Sequence, residues 1–339
     1  MLTFKNFTEA YLCILEDVYK KPQFESSPRG MKVRETLGFQ FKITNPRDRI
    51  PYIKERDFAV SYMIAELLYY LSGNDSIDWI ANYSKFWKGI SDDGLTANSA
   101  YGARIFKPHS RIAAGLDHRW SQWDYIINEL ALDNDSRRAV IHLRSPHDSI
   151  LAKLDVPCTL TLQFLLRSDR LHLVVSMRSS DCIFGLAYDV PAFTVFQELM
   201  ANELSAKLGR KIGLGDYIHT SNSLHIYQRN FEMVEEILAN NSDAFKTPET
   251  FEMPALPGRP GIALERFEAQ CRLTTSPDEL ERFFFDSASF CNGPCSFDDY
   301  WKDWCLVLAS HRAEKLKDKA LQRRLLDKCT FEGYRFFAR

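Results

Sequence analysis

The chain has 339 residues, enough for two domains of roughly 150 residues each or for one large one. Hydrophobic residues make up 45% and charged residues 26%, an ordinary globular composition that excludes a disordered, collagenous or disulfide-stapled chain. With 43 Lys and Arg against 45 Asp and Glu, no global basic field is available for nucleic acid or an anionic membrane, so any bound anion must be held by a local cluster.

Along the chain, residues 1–21 carry Glu9, Glu16 and Asp17 among apolar residues and read as an amphipathic helix, not a secretory signal. Asp57 to Leu71 is an apolar run with Asp57 as candidate cap and Gly73 as stop, which predicts a buried helix. Trp87 to Gly102 is rich in Asp, Gly, Asn and Ser and predicts a functional loop of short broken elements. From Arg138 the period becomes that of strands. Residues 139–143 and 159–166 fit, and the second run turns through Ser168, Asp169 and Arg170 into alternating Leu171, Leu173, Val175 and Met177. Helical spacing returns over Pro191 to Leu208, with Phe193, Phe196, Met200 and Leu204 on one stripe and Gly209 at its end. The proline-rich stretch 245–260 predicts a linker or a surface excursion, and 264–339 is mostly helical, charged and aromatic. No apolar run approaches the roughly 18 residues of a membrane span. The pattern is that of an α+β chain with its strands in the middle.

The eight cysteines are scattered, and only Cys291 and Cys295 lie close, with no His at zinc-ligand spacing. Free thiols in a reducing cytoplasm, without a metal, are the expectation. Chemistry concentrates in Val156-Pro157-Cys158, Arg178-Ser179-Ser180-Asp181, Gly185, Tyr188-Asp189 and His225-Ile226-Tyr227. Singly each is ordinary: a cysteine as a small hydrophobe, Asp189 as a helix cap, His225 and Tyr227 as strand residues. Together they suggest more. An arginine beside a cysteine lowers the thiol pKa and raises its thiolate fraction, and arginine forks suit phosphate. A lone Glu66 in an apolar helix is costly to bury unless it is hydrogen-bonded or functional.

This ordered set resembles the thymidylate synthase superfamily, which includes the cytidylate and deoxycytidylate hydroxymethylases. The resemblance covers about residues 25 to 240, with Pro28-Arg29-Gly30, Glu66-Leu67-Leu68, Trp87, Tyr101-Gly102 and Ser136-Arg137-Arg138 also in the family's order. It implies an α+β fold with a central mixed sheet packed by helices over residues 1–255, and a helical extension over 256–339 on the same domain. It implies that Cys158 adds to carbon 6 of a pyrimidine, which makes carbon 5 nucleophilic towards 5,10-methylenetetrahydrofolate as one-carbon co-substrate. Arg29, Arg178 and Ser179 match phosphate ligands. Arg137 and Arg138 match a pair donated by the neighbouring subunit, so a homodimer is implied. His225 and Tyr227 match residues that hold the sugar hydroxyl. Glu66 matches a carboxylate that organises water and moves protons, and Tyr101 joins it among the catalytic residues. Trp87, Asp181, Gly185 and Tyr188 match positions that line the folate.

In the synthases an asparagine stands where this chain has Asp189, whereas the hydroxymethylases have Asp. An amide pairs with uracil, but cytosine presents an amino donor at N4 and an acceptor at N3, which a carboxyl sharing a proton can serve. The chain departs from the family's pattern at Thr159, usually His, and at Met177, usually Gln. It also runs about 110 residues beyond Tyr227, where synthases end in a short tail that closes the site over folate. A different closure would admit water. The resemblance thus points to 5-hydroxymethylation of CMP or dCMP. A methylating enzyme on dUMP or a cytosine nucleotide and a non-catalytic nucleotide-binding homologue are the alternatives.

Overall fold

The computed structural model describes residues 1–113, 116–149, 154–241, 249–286 and 298–337, with the backbone alone described for 109–119 and 285–286. Alternation of apolar and polar residues builds the central sheet. In β1 (Leu2–Phe4), β2 (Phe24–Ser26) and β3 (Val33–Ile43) the chain lays down one edge, and a separate hairpin, β4 (His109–Ala113) with β5 (Leu116–Trp120), follows later. β6 (Val140–His142), β7 (Thr159–Arg167), β8 (Arg170–Met177), β9 (Ser180–Asp181) and β10 (Gly213–Tyr227) complete the sheet in the order β1-β3-β10-β8-β7-β6, with β2 on β3 and β9 on β10. Ser168 and Asp169 turn β7 into β8 with φ of 49° and 56°, the left-handed pair that a two-residue hairpin requires.

One sheet face is buried. Leu162, Phe164, Leu171, Leu173 and Val175 point into it, beneath α1 (Phe7–Lys20) and the long α6 (Leu186–Leu208). The stripe Phe193, Phe196, Met200 and Leu204 is fully buried, and Gly209 ends α6 with a φ of 63°. The helix begins five residues before Pro191, with Gly185 in the cap position. Asp189 therefore lies inside the first turns and is not a cap. On the other sheet face Thr161, Gln163, Leu165, Val174, Ile218 and Thr220 remain half-exposed.

Helix α2 (Val60–Leu71) is buried along nearly its whole length, as its apolar run predicts. Its expected cap is corrected: Asp57 takes a left-handed φ of 49° to close the preceding turn, and Ala59 occupies the cap position with no side-chain bond. The Asp- and Gly-rich region forms α3 (Phe86–Ile90) and α4 (Tyr101–Phe106), joined by a turn in which Asp93 accepts the amides of Leu95 and Thr96. α5 (Gln122–Leu132) opens with a Ser121–Asp124 capping box.

After α7 (Phe231–Asn240) the described part of the proline-rich segment, residues 249–260, runs mostly exposed but is anchored at two points. Met253 donates to the Arg47 carbonyl, Leu256 donates to Glu198, and both side chains are buried. The second oxygen of Glu198 is paired with the buried guanidinium of Arg49. α8 (Ile262–Leu273), α9 (Pro277–Glu281), α10 (Asp299–Lys315) and α11 (Lys319–Asp327) follow. α10 lies on α2, where His311 Nδ1 is 3.3 Å from Ser61 Oγ and the His311 ring stacks on Tyr83. A final 3-10 turn, Glu332–Phe337, sets the Phe337 ring against Tyr52 and Phe58 at 5.8 and 5.5 Å. Cys13, Cys158, Cys182, Cys271, Cys305 and Cys329 are free thiols, while Cys291 and Cys295 lie outside the described residues. Among the described residues no helix is long and apolar enough to cross a membrane.

The closest backbone approach joins α4 to α2. A Cβ on Gly102 would stand 1.9 Å from the Tyr70 carbonyl oxygen, so Gly102→Ala must push the two helices apart. We expect it to cost about 3 kcal/mol or more in urea unfolding. Gly89→Ala, which meets nothing within 4 Å inside α3, should be neutral or stabilising by about 0.5–1 kcal/mol. Equal effects from the two would contradict the packing.

Candidate active site

Cys158 sits just before β7 and Arg178 just after β8, so the hairpin brings two residues twenty positions apart side by side. The Arg178 amide donates to the Cys158 carbonyl at 2.9 Å. Its guanidinium donates to the Pro157 carbonyl at 2.9 Å and the Val156 carbonyl at 2.8 Å, and approaches Cys158 Sγ at 3.5 Å. The expected low thiol pKa is corrected. Burial pushes the Cys158 thiol up, and the opposing pull of Arg178 and Arg29 does not overcome it. Asp189 and Asp155 push in the same direction as burial, and the guanidinium of Arg178 gives its shorter bonds to backbone carbonyls and a long one to the sulfur.

Across the cleft, Glu66 projects from α2 and is buried, with its carboxyl pushed up to about 7 by desolvation. Tyr62, one turn earlier, donates to Glu66 Oε1 at 2.7 Å, and the Trp87 indole N–H donates to the Tyr62 hydroxyl at 3.2 Å. Trp87 is buried and its N–H is already engaged, so it reaches Glu66 through Tyr62 and cannot itself hold a water there by that group. Asp189 accepts no hydrogen bond among the described residues. Burial, with Glu66 and Asp181 nearby, pushes its carboxyl well above the usual carboxylate range. Tyr101 stacks on Tyr70 at 5.3 Å and accepts hydrogen bonds from Thr159.

His225 on β10 pairs across the sheet with Asp181 on β9 and with Glu35 on β3. It is buried, its Nδ1 has no partner among the described residues, and its ring meets Tyr227 edge-on at 5.0 Å. The Arg229 guanidinium covers the Tyr227 ring at 4.5 Å. Asp181 accepts the Ile183 amide at 2.9 Å. A Cβ on Gly185 would stand 2.9 Å from the Asp181 carbonyl, so that turn admits no side chain without movement. Tyr188 is buried, accepts the Ala59 amide and stacks on Phe58 at 4.7 Å. Phe58 in turn touches Phe337, so the turn at Glu332–Phe337 packs behind Tyr188. Ala338 and Arg339 lie outside the described residues.

Arg29 is exposed in a left-handed conformation of φ 53°, and Ser179 is half-buried beside Arg178. Arg137 and Arg138 are not brought to the cleft. Both are exposed near the outer strand β6, where Arg138 pairs with Glu129 at 2.9 Å. Sequence reasoning missed Tyr62 and Thr159. The first was findable, since Tyr62 precedes Glu66 by one helical turn. Phe184 is 56% exposed at the helix end, beside the Gly185 turn that leaves no room for a side chain.

Glu66 makes stability depend on pH. Below the ordinary glutamate pKa of 4.5 both folded and unfolded chains carry its proton, but between 4.5 and about 7 only the folded chain does. This group's contribution therefore falls as pH rises through that window, by up to about 3 kcal/mol, and stays low above it. Glu66→Gln should recover the loss, unfolding at higher urea than the wild type at pH 8 and converging with it towards pH 4.5. The same difference at both pH values would remove the titration argument.

The thymidylate synthase family model matches residues 9–253, a wider span than the motifs alone mark out. One relative, a deoxyuridylate hydroxymethyltransferase of Bacillus phage SP01, is 28% identical over 287 residues, covering 81% of this chain and 70% of that one. Fold, ordered site residues and family match agree. The chain belongs to the thymidylate synthase family.

Proposed function

We propose that this protein 5-hydroxymethylates a cytidine nucleotide monophosphate, CMP or dCMP. The observation that carries the reading is a half-buried Asp189, without a hydrogen-bond partner among the described residues and raised by desolvation, near the cysteine–arginine hairpin. Cys158 adds through sulfur to carbon 6 as its S–H bond breaks, the proton passing to solvent water and the electron pair of the carbon 5–carbon 6 double bond moving to carbon 5, in keeping with a thiol that burial keeps protonated beforehand. Arg178, with Arg29 and Ser179, takes the phosphate, and rearranges its bonds to the Val156 and Pro157 carbonyls to do so. His225 and Tyr227 hold the sugar hydroxyl. Asp189 in its neutral form accepts from N4–H through one oxygen and donates to N3 through the other.

Methylenetetrahydrofolate supplies the one-carbon unit when bound, and Asp181, Gly185, Tyr188 and Phe184 are the residues placed to hold it. Glu66, oriented by Tyr62, holds the water whose hydroxyl ends on the transferred carbon and keeps the proton that water gives up. The half-exposed sheet face and the exposed Arg137 and Arg138 support a second copy packed there, with the two arginines lent to its site. We further propose that residues 256–339 form a helical extension of one catalytic domain, tied in by Glu198 and the Phe337 turn.

A uracil nucleotide is the second reading, favoured by the relative named for deoxyuridylate. A protonated Asp189 can also be turned to accept from uracil N3–H and donate to O4. An ionised one cannot. Ionisation removes the donor that either base needs, so binding of CMP or dCMP should weaken as pH rises, which nucleotide titrations across pH measure directly.

Three outcomes test the proposal. Cys158→Ala should abolish turnover while nucleotide binding survives, and near-wild-type turnover would end the mechanism. Asp189→Asn should move preference towards uracil by about one to two decades in kcat/KM, for a mismatch of about 1–3 kcal/mol. The wild-type product should be heavier than its substrate by CH₂O, with no dihydrofolate absorbance rise. A methylated product with stoichiometric dihydrofolate would replace hydroxymethylation by methylation.

A further inference from the structure

Thr159 follows the nucleophile directly and is fully buried. Two of its groups reach the same atom: its amide N–H lies 3.3 Å from Tyr101 Oη and its Oγ1 lies 3.0 Å from it. The amide can only donate. The threonine hydroxyl has no other acceptor among the described residues and no exposure, so if Tyr101 donated to it the threonine proton would be buried unpaired, whereas the proton of Tyr101, 6% exposed, has the cleft to donate into. Both acceptor positions of the phenol oxygen are then filled. What remains is the phenol's own proton. Tyr101 keeps that proton, because burial and the facing Asp189 and Cys158 oppose a phenolate.

We infer that Thr159 is a positioning residue that commits Tyr101 to donate its O–H into the cleft, towards the sulfur of Cys158 or a nucleotide bound there. This rests on the reading of Tyr101 and Cys158 as catalytic. It assigns Tyr101 the part of a hydrogen-bond donor and leaves acceptance of protons to other groups, of which Glu66 is the one in the cleft with a pKa near neutrality. It also gives a physical use to a residue at which this chain departs from the family's pattern.

The test compares Thr159→Val, which keeps the shape and removes the hydroxyl, with Thr159→Ser, which keeps the hydroxyl. Both are assayed on whichever pyrimidine nucleotide the wild type turns over, so the result does not depend on the cytosine assignment. Thr159→Val should lower kcat about tenfold, the loss of one oriented hydrogen bond, with the nucleotide KM within about twofold. Thr159→Ser should stay within about threefold of wild type. In a Tyr101→Phe background, Thr159→Val should cost nothing further. A wild-type kcat for Thr159→Val, a Ser variant as poor as the Val variant, or an undiminished Val penalty in the Tyr101→Phe background would each overturn the inference. If the wild type turns over no nucleotide, the same chains are compared by the rate of covalent attachment of a 5-fluoropyrimidine nucleotide in the presence of the folate, with the same pattern expected. Absence of any adduct would end this inference together with the nucleophile assignment.

Discussion

The guanidinium of Arg178 holds the chain ahead of β7 by two backbone carbonyls, and the placement of Cys158 depends on that grip. Val156 and Pro157 belong to no strand or helix, so the ladder reaches no further than the Arg178 amide's bond to the Cys158 carbonyl, and the guanidinium holds the residues before it. A planar fork with five donors can bind two adjacent carbonyls and still face a sulfur, which an ammonium on a flexible stem could not do as rigidly. In the proposed function the same group takes the nucleotide phosphate, so nucleotide arrival and release of the cysteine loop become exchanges at one side chain, while burial keeps the thiol protonated.

Opposite this cationic edge the cleft is acidic and poorly solvated. Glu66, Asp189 and Asp181 all have carboxyls raised by burial, and Asp189 is raised further by the other two. Such acids are costly to fold around, and natural chains keep them where proton position matters. Their arrangement differs in a telling way. Glu66 is served by a Tyr62–Trp87 chain and so has a fixed orientation, whereas Asp189 has no partner among the described residues and is left for a ligand to complete.

Much of this was legible in the sequence. Period-two alternation placed β7 and β8, the apolar run placed α2, and the fixed interval between Cys158 and Arg178 foretold their meeting, because a tight hairpin returns the chain to its own start. Helix starts were less legible. Asp57 and Asp189 both have the chemistry of a cap, yet a left-handed turn claimed one and an earlier helix start absorbed the other. The sign of the Cys158 shift could not be read either, since sequence shows that an arginine is near but not how deeply the thiol is buried. The anchors of the proline-rich stretch were hidden too: its lack of period does not show the two amides that satisfy Arg47 and Glu198 from long range.

The aromatic contact of Phe337 with Tyr52 and Phe58 joins residues almost 280 positions apart, and this matters while the chain is being made. Every strand of the sheet has left the ribosome by Tyr227, so the hairpin, the cleft and its acids can assemble early. The wall behind Tyr188 then waits for roughly 110 further residues, on the order of 5–20 s at ordinary translation speeds. During that interval the nascent protein exposes Tyr52 and Phe58 as an uncovered apolar surface. A chain stalled in this window would carry a formed nucleophile hairpin beside an unbraced cleft, an aggregation-prone species to be sheltered or destroyed by the cell's quality control.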